Sequence, residues 1–525
     1  VRRVGLVLVT WFAAWSSACG GASARGPSLA GPEILRVVPA DTPYIYVALE
    51  PFARAYLERF MRRQRPRLHT SVEMLGRSGL DAPGAKLLLA LVRELDAYYS
   101  PEGLERLGMG RGAWAFYGIG VVPALRIELA APEKMAAFLD GVVAKSGVAV
   151  ARETLGEHHY SVLRHASVAL VWSVDRGALV ATLAPASMLG EILPLLYGDR
   201  LPAKSLADTN AIPAMARAYG FAPLQVFYLD LQRLLGVLVD PRQDFDRRVL
   251  AAVGIELPGV DAACRSELTA LAAEAPRMVA GAEELSPAHD RYRVTLELAP
   301  RTAKLLGALR GPAAGVGAPL GTALARFGVA ADVRKAVDLA KLWTFAVKAT
   351  PYRCSYLHGL NRLAGDFGRE LDSPLPIWME PLRGASVVIY DADLTQLRGY
   401  AMVTAADPLQ VVGTLTALVP SLRGVTLPPD GTPVALPAGL GPIDHVAVKG
   451  NVIGVSAGGV EADLRKAIAA PVAPNPPLLQ IAFDADRVRQ AFGSLANDMI
   501  DMSGRWDFDL YVDERGLTLR LEELH

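Results

Sequence analysis

Gly454-Val455-Ser456-Ala457-Gly458 has the spacing of a serine nucleophile on a tight turn between a strand and a helix, and it is the sharpest catalytic signal in the sequence. Small residues on both sides of such a serine let the backbone turn and present the hydroxyl at the end of a sheet. The hydroxyl then needs a base, and the base needs a third group to orient it. The only histidine after Ser456 is His525, the last residue of the sequence, which is a poor source of a buried, oriented base. The flanking strands also read as antiparallel, whereas this type of turn belongs to a parallel sheet. A tight turn built from small residues explains the motif better than catalysis does.

Other groupings of reactive side chains are weaker. His158, His159 and His165 form the one local histidine cluster. Neighbouring residues of a strand point to opposite faces, so His158 and His159 cannot easily share a metal; one of them with His165 across a hairpin could, but no Cys or carboxylate at ligand spacing completes a set of four. The three histidines are expected as exposed strand and turn residues. Asp391 with Asp393, and Asp484 with Asp486, are paired carboxylates, but neither pair has the glycine and distal glutamate of a calcium loop. Turn and capping roles are expected for all four. The run Arg62-Arg63-Gln64-Arg65-Pro66-Arg67 reads as a solvated helix end, with contact to anionic headgroups or cell-wall polymer as its functional alternative. No phosphate-binding, dinucleotide-binding or HExxH pattern occurs, so no cofactor and no metal site is expected. The 54 basic and 54 acidic residues cancel, which leaves no whole-chain field for nucleic acid.

The elements that would carry these residues repeat. Gly384 to Tyr390, Gly399 to Val403 and a helix opening at Pro408 follow the same order as Gly112 to Tyr117, Ala124 to Leu129 and a helix opening at Pro132. Aligning the two prolines sets Met135, Phe138, Leu139, Val142 and Val143 against Val411, Thr414, Leu415, Leu418 and Val419. That is the stripe of a helix with one buried face. Strand-then-helix units also begin at Tyr44, Val226, Leu324 and Ile481, and an acidic residue at the junction suits a helix N-terminus. Hairpins are expected at Met278–Leu298 and Trp506–Leu521. Ala181-Thr182-Leu183-Ala184-Pro185 occupies the turn of the first half that corresponds to the Ser456 motif, so the repeat does not demand a serine there.

The expectation is an α+β chain of two tandem related modules, 37–300 and 301–525. Each is a mainly antiparallel sheet with helices packed chiefly on one face, and Gly311 to Pro319 is the linker. Cys264 and Cys354 fall in different modules on this division. A disulfide between them would clamp the modules together, and two buried free thiols are the alternative.

Arg2 and Arg3, the apolar run Val4 to Trp15, and Ser16-Ser17-Ala18-Cys19 have the layout of a secretory signal ending at a cysteine. This resembles the lipobox of bacterial lipoproteins, with Ser16 where leucine is commoner. The resemblance implies a signal peptide over 1–18, lipid modification of Cys19 and a flexible tether over 19–36. The glycine after Cys19 implies outer-membrane anchoring on the periplasmic side. Pro39-Ala40-Asp41-Thr42 and the following strand resemble the start of a family of uncharacterised secreted bacterial proteins, for which no reaction is known. The expected function is therefore a non-catalytic envelope lipoprotein acting in binding or scaffolding, attached to the membrane through its lipid and engaging an envelope partner. A carrier of lipid or another hydrophobic ligand is the alternative, and a serine hydrolase centred on Ser456 is the third.

Overall fold

Aspartates end strands and open helices in both halves of the chain. Asp230, Asp332 and Asp484 are N-caps whose carboxylates accept from the backbone N–H of Arg233 at 2.7 Å, Lys335 at 3.1 Å and Arg487 at 3.1 Å. Each satisfies one amide that the first helical turn leaves without a partner. Asp486 sits two residues further on, in the first turn, where its carboxylate accepts from Gly504 N at 2.9 Å. Turn and capping chemistry thus accounts for Asp484 and Asp486. Asp391 is exposed at the end of a strand.

The computed structural model describes residues 30–50, 53–77, 82–110, 112–222, 225–255, 260–286, 288–392, 397–419, 422–437, 441–493 and 503–524. Cys19, Asp393, the expected signal peptide and most of the expected tether lie outside these residues. The last part of the tether segment, Ala30–Arg36, is a helix. It carries Ile34 and Leu35 into a core with Ile192 and Leu196, because its apolar residues have a groove to fill. The fold is α+β, and it divides into two compact units: 1–258 with 277–287, and 259–276 with 288–525.

Unit 1 contains β1 (Tyr44–Ala48), β2 (Trp114–Ile119), β3 (Val122–Glu128), β4 (Ala151–Leu155), β5 (His158–His165), β6 (Val168–Asp175), β7 (Ala178–Pro185), β8 (Val226–Asp230) and β9 (Arg277–Leu285). Their order across the sheet is β9-β8-β1-β2-β3-β7-β6-β5-β4, antiparallel throughout. Helices cover both faces, not chiefly one. On one side Ile192, Leu193 and Ile212 pack against Ile45, Tyr117 and Val171. On the other, Leu57, Met61, Leu95 and Met135 pack against Trp114, Leu125 and Ile127. The reason is visible in β2, where Trp114, Ala115, Phe116 and Tyr117 are apolar without alternation, so both faces need cover. The helix Pro132–Ser146 buries Met135 and Val142, as its stripe predicts.

Unit 2 contains β10 (His289–Glu297), β11 (Ala325–Val329), β12 (Leu382–Ala392), β13 (Leu397–Ala405), β14 (Val434–Ala435), β15 (Ile443–Lys449), β16 (Val452–Ala457), β17 (Leu479–Asp484), β18 (Arg505–Val512) and β19 (Gly516–Leu524). The order is β10-β19-β18-β17-β11-β12-β13-β16-β15-β14, again antiparallel. The two strands expected over 278–298 both form, as β9 and β10, and the unit boundary falls between them. The helix Pro408–Leu418 buries Val411 but leaves Leu415 and Leu418 exposed, so the stripe shared with Pro132–Ser146 is only partly used.

Two expectations about the joint between modules change. Residues 311–319 are not a linker but a loop packed on the unit 2 sheet, with Ala313, Ala314 and Val316 buried. Polar side chains of the sheet hold it. Ser386 Oγ donates to Ala314 O, Thr404 Oγ1 accepts from Ala314 N, Arg326 donates to Gly315 O, and Gln480 Oε1 accepts from Gly317 N. Cys264 and Cys354 form a disulfide, but both belong to unit 2, so the bond does not clamp one unit to the other. Cys264 lies on the helix Ala262–Glu274, whose Glu267 accepts from the backbone N–H groups of Arg353 and Cys354 at 2.9 Å.

Candidate functional site

Ser456 is not on the turn. It sits inside β16, 1% exposed, and the turn that follows is made by Gly458 and Gly459 at φ 76° and 72°. The strained backbone that would push a nucleophile out into solvent is therefore spent on glycines. A histidine and an aspartate do stand beside the serine, however. β15 runs antiparallel to β16 and pairs His445 with Ser456. Ser456 Oγ donates to Asp444 Oδ1 at 2.8 Å, His445 Nδ1 lies 3.0 Å from the same oxygen, and Gly459 N donates to Asp444 Oδ2 at 2.9 Å. These partners precede the serine in the chain, which is why a search for a following histidine misses them.

The order of the trio is wrong for acyl transfer. A catalytic base must sit between the serine and the carboxylate. Here the carboxylate sits between the serine and the histidine, and takes the serine proton into its own hydrogen bond. Burial raises the Asp444 pKa, but hydrogen bonds from Gly459, His445 and Ser456 outweigh it and hold the group below the ordinary carboxylate value. The charged carboxylate thus ties two strands to the Gly459 turn.

His158 departs from the expected exposed position. It is 2% exposed and stacked on Tyr197, with ring centroids 4.1 Å apart. Its Nδ1 lies 2.9 Å from Asp175 Oδ2 and its Nε2 lies 2.6 Å from Asp199 Oδ2. Strand alternation turns His158 inward and His159 outward, and a buried ring needs both nitrogens satisfied. Asp175 at the end of β6 and Asp199, just past the C-cap Gly198 of the helix Leu189–Tyr197, supply the two carboxylates. Burial raises the Asp199 pKa, but hydrogen bonds from His158 and Arg176 outweigh it and lower the pKa overall. His159 and His165 are exposed. The three histidines do not converge, and no group of side chains among the described residues could hold a metal ion. In the basic run, Arg62 is exposed and Arg65 pairs with Asp96 at 3.3 Å.

A second polar cluster has no counterpart in the motifs. Arg326, Ala482, Asp507, Glu522 and Arg291 are register partners across five strands, and so share one face of the unit 2 sheet. Gln480, Asp509 and Arg520 form the next row. The Asp507 pKa is pushed up to about 7, first by burial and then by the neighbouring charge of Asp509, against the pull of Gln480. Burial also raises Asp509, although Tyr511 donates to it at 3.0 Å. The signal in the sequence is the alternation Asp507-Phe508-Asp509-Leu510-Tyr511, with a polar row set against an apolar one.

The apolar row faces a different fate. Phe327 pairs with Val387, and Val329 with Leu479, and all four side chains are exposed. Leu342, Phe345, Leu363, Phe367, Ile377, Leu409 and Leu418 are exposed as well. In unit 1 the exposed large hydrophobic side chains among the described residues are Leu201 and Ile255; every other one lies in unit 2. No helix among the described residues is long and apolar enough to cross a membrane. No family model matches the chain, and no curated protein or solved structure is detectably similar to it.

Proposed function

We propose that this chain is a non-catalytic lipoprotein of the bacterial envelope, anchored through Cys19 in the outer membrane and facing the periplasm, and that it works by binding, with unit 2 as the binding unit. The observation that carries the reading is the uneven surface: among the described residues, unit 1 exposes two large apolar side chains, Leu201 and Ile255, and unit 2 exposes all the others. Exposed apolar groups clustered on one unit are characteristic of surfaces that meet a partner or a hydrophobic ligand. The capture of the Ser456 hydroxyl by Asp444 supports a role without acyl transfer.

A duplicated module accounts for the two units. The orders β8-β1-β2-β3-β7-β6 and β17-β11-β12-β13-β16-β15 match strand for strand. A local device is repeated with them. Asp230 caps the helix bearing Arg233, whose Nη1 donates to Thr42 O at 3.4 Å. Asp484 caps the helix bearing Arg487, whose Nη1 donates to Thr322 O at 2.9 Å. Thr42 and Thr322 both close a Pro-x-x-Thr sequence, ahead of β1 and β11 respectively. On this reading one copy kept its cover and the other opened for binding.

Within the binding class, the row Phe327, Val329, Val387 and Leu479 favours a hydrophobic ligand as the second reading. Native mass spectrometry of the chain isolated from the cell envelope separates the two. A co-purifying lipid supports a carrier, and an empty chain that retains an envelope protein supports a scaffold. Labelling of the native chain, but not of Ser456→Ala, by a serine-reactive fluorophosphonate would contradict the non-catalytic reading. Recovery of unmodified Cys19 in a membrane-free fraction would contradict the anchor.

A further inference from the structure

Strand register allows the two units to be compared position by position. Aligning Pro132 with Pro408 sets Ile127 on Val403. Ile127 pairs with Trp114 and Trp114 with Ala48, while Val403 pairs with Ala385 and Ala385 with Val329. Aligning Asp230 with Asp484 gives the same match, since it sets Phe227 on Ile481, and these pair with Tyr46 and Phe327. Ala385 therefore stands where unit 1 has Trp114. In unit 1 that indole is 1% exposed, meets the Tyr46 ring edge-on at 4.7 Å and packs with Leu57, Met61 and Leu95. In unit 2 a methyl group takes its place. Ala385 is exposed, and Val329 beside it is 44% exposed against 1% for Ala48.

The cover differs along with the residue. Leu57, Met61 and Leu95 come from the segment between β1 and β2, on the helices Arg54–Arg77 and Pro83–Asp96. The segment at the same place in unit 2, between β11 and β12, holds a hairpin of two helices, Val333–Ala349 and His358–Asp372. These pack on each other at Thr344 and Gly368, and the disulfide holds their connection to the helix Ala262–Glu274. Phe327, Val329 and Val387 stay exposed beneath no equivalent of Met61 or Trp114.

The open strip is long and narrow. Ala385, Val329, Leu479, Leu510 and Leu519 are register partners on β12, β11, β17, β18 and β19. A second apolar row runs beside them from Val387 through Phe327 to Leu521. The strip is exposed at its β12 and β11 end and half-buried toward β19. Five strands spaced about 4.8 Å apart make it about 20 Å long, and two rows make it about 10 Å wide. That floor of about 200 Å² is well below the roughly 800 Å² per partner of a stable protein interface. Neither row contains a charged residue. A narrow, uncharged strip of this length suits one extended hydrocarbon chain, and is too small for a second copy or a folded partner.

We propose that this strip of unit 2 binds the hydrocarbon chain of a lipid, in the place that unit 1 fills with Trp114. The inference rests on the hydrophobic-ligand reading above and adds to it the site and the shape of the ligand.

Fluorescence titration of the full chain with cis-parinaric acid, a long-chain polyene fatty acid that brightens in apolar surroundings, tests it. The apolar run near the N-terminus is common to every variant and cancels in ratios between them. The wild type should bind the probe. Ala385→Trp, which restores the unit 1 residue, should bind it about tenfold more weakly, the scale of losing one large apolar contact. Phe327→Ser should lose about as much, and it keeps the test open if Ala385→Trp does not fold. Leu201→Ser, on an exposed side chain of unit 1, should bind as the wild type does. Displacement of the probe by palmitate alone supports a free fatty acid as the ligand, and displacement also by lysophosphatidylcholine supports a chain taken whatever its headgroup. Wild-type affinity in both strip variants, or an equal loss in Leu201→Ser, would overturn the site and leave the hydrophobic-ligand reading standing. Failure of the wild type to bind the probe would overturn both. A sedimentation mass of a dimer that Phe327→Ser reduces to a monomer would assign the strip to a second copy and overturn the proposal.

Discussion

At the scale of single residues, the half-buried carboxylate of Asp507 makes a pH-dependent prediction. Asp507 has a folded pKa of about 7 against an ordinary value of 3.8. Its contribution to stability is therefore fully present below the ordinary value, where the group is neutral in both states. It is lost as pH rises through about 7, where the native protein must hold the charge. Asp507→Asn keeps a neutral group that can still bond to Gln480. The variant should match the wild type at pH 4 and exceed it at pH 8 by about 1–2 kcal/mol in urea unfolding, less than the whole shift implies because water still reaches the carboxylate. Equal stability of the two proteins at pH 8 would refute the assignment. Ser456→Ala removes one of three hydrogen bonds to Asp444. It should cost about 1 kcal/mol of stability.

At the scale of elements, the strands and caps were legible and their neighbours were not. Alternation and turn residues identify nearly every strand of both sheets, and the acidic junctions identify three N-caps. β4 escapes, because Ala151-Arg152-Glu153-Thr154-Leu155 lies at an exposed edge and has no apolar alternation to betray it. Spatial order was the harder problem. His445 meets Ser456 across the tight β15–β16 hairpin, whereas Asp507 shares a row with Arg326 only because β17 lies between β18 and β11. The 311–319 loop misled for a related reason. Its Ala, Gly and Pro suit a linker, but small residues also suit a chain laid flat on a sheet. The disulfide belongs to this scale too. It joins the helix Ala262–Glu274 to the hairpin connection across 90 residues. Replacing both cysteines by serine should lower unit 2 stability by up to about 4 kcal/mol in the chain-entropy account and speed hydrogen exchange in 333–372. Unchanged exchange there would show that the bond does not fix the hairpin.

At the scale of the molecule, the two units follow one strand order and differ in what covers it. In unit 1 the apolar residues on both sides of the sheet find helices, with Met61 and Leu95 against Trp114 on one side and Ile192 against Tyr117 on the other. In unit 2, among the described residues, apolar positions remain partly open, from Phe327 on the sheet to Phe345 on the hairpin. Composition could not reveal this, since a mean hydropathy of +0.25 fits a sealed core and an open surface equally. Carbene footprinting of the native full chain with a diazirine probe measures the difference directly. The account predicts heavy labelling at Phe327, Val329, Phe345 and Phe367, and little at Leu57, Met61 and Trp114. Comparable labelling of both units, or protection of the unit 2 residues in the isolated chain, would contradict it.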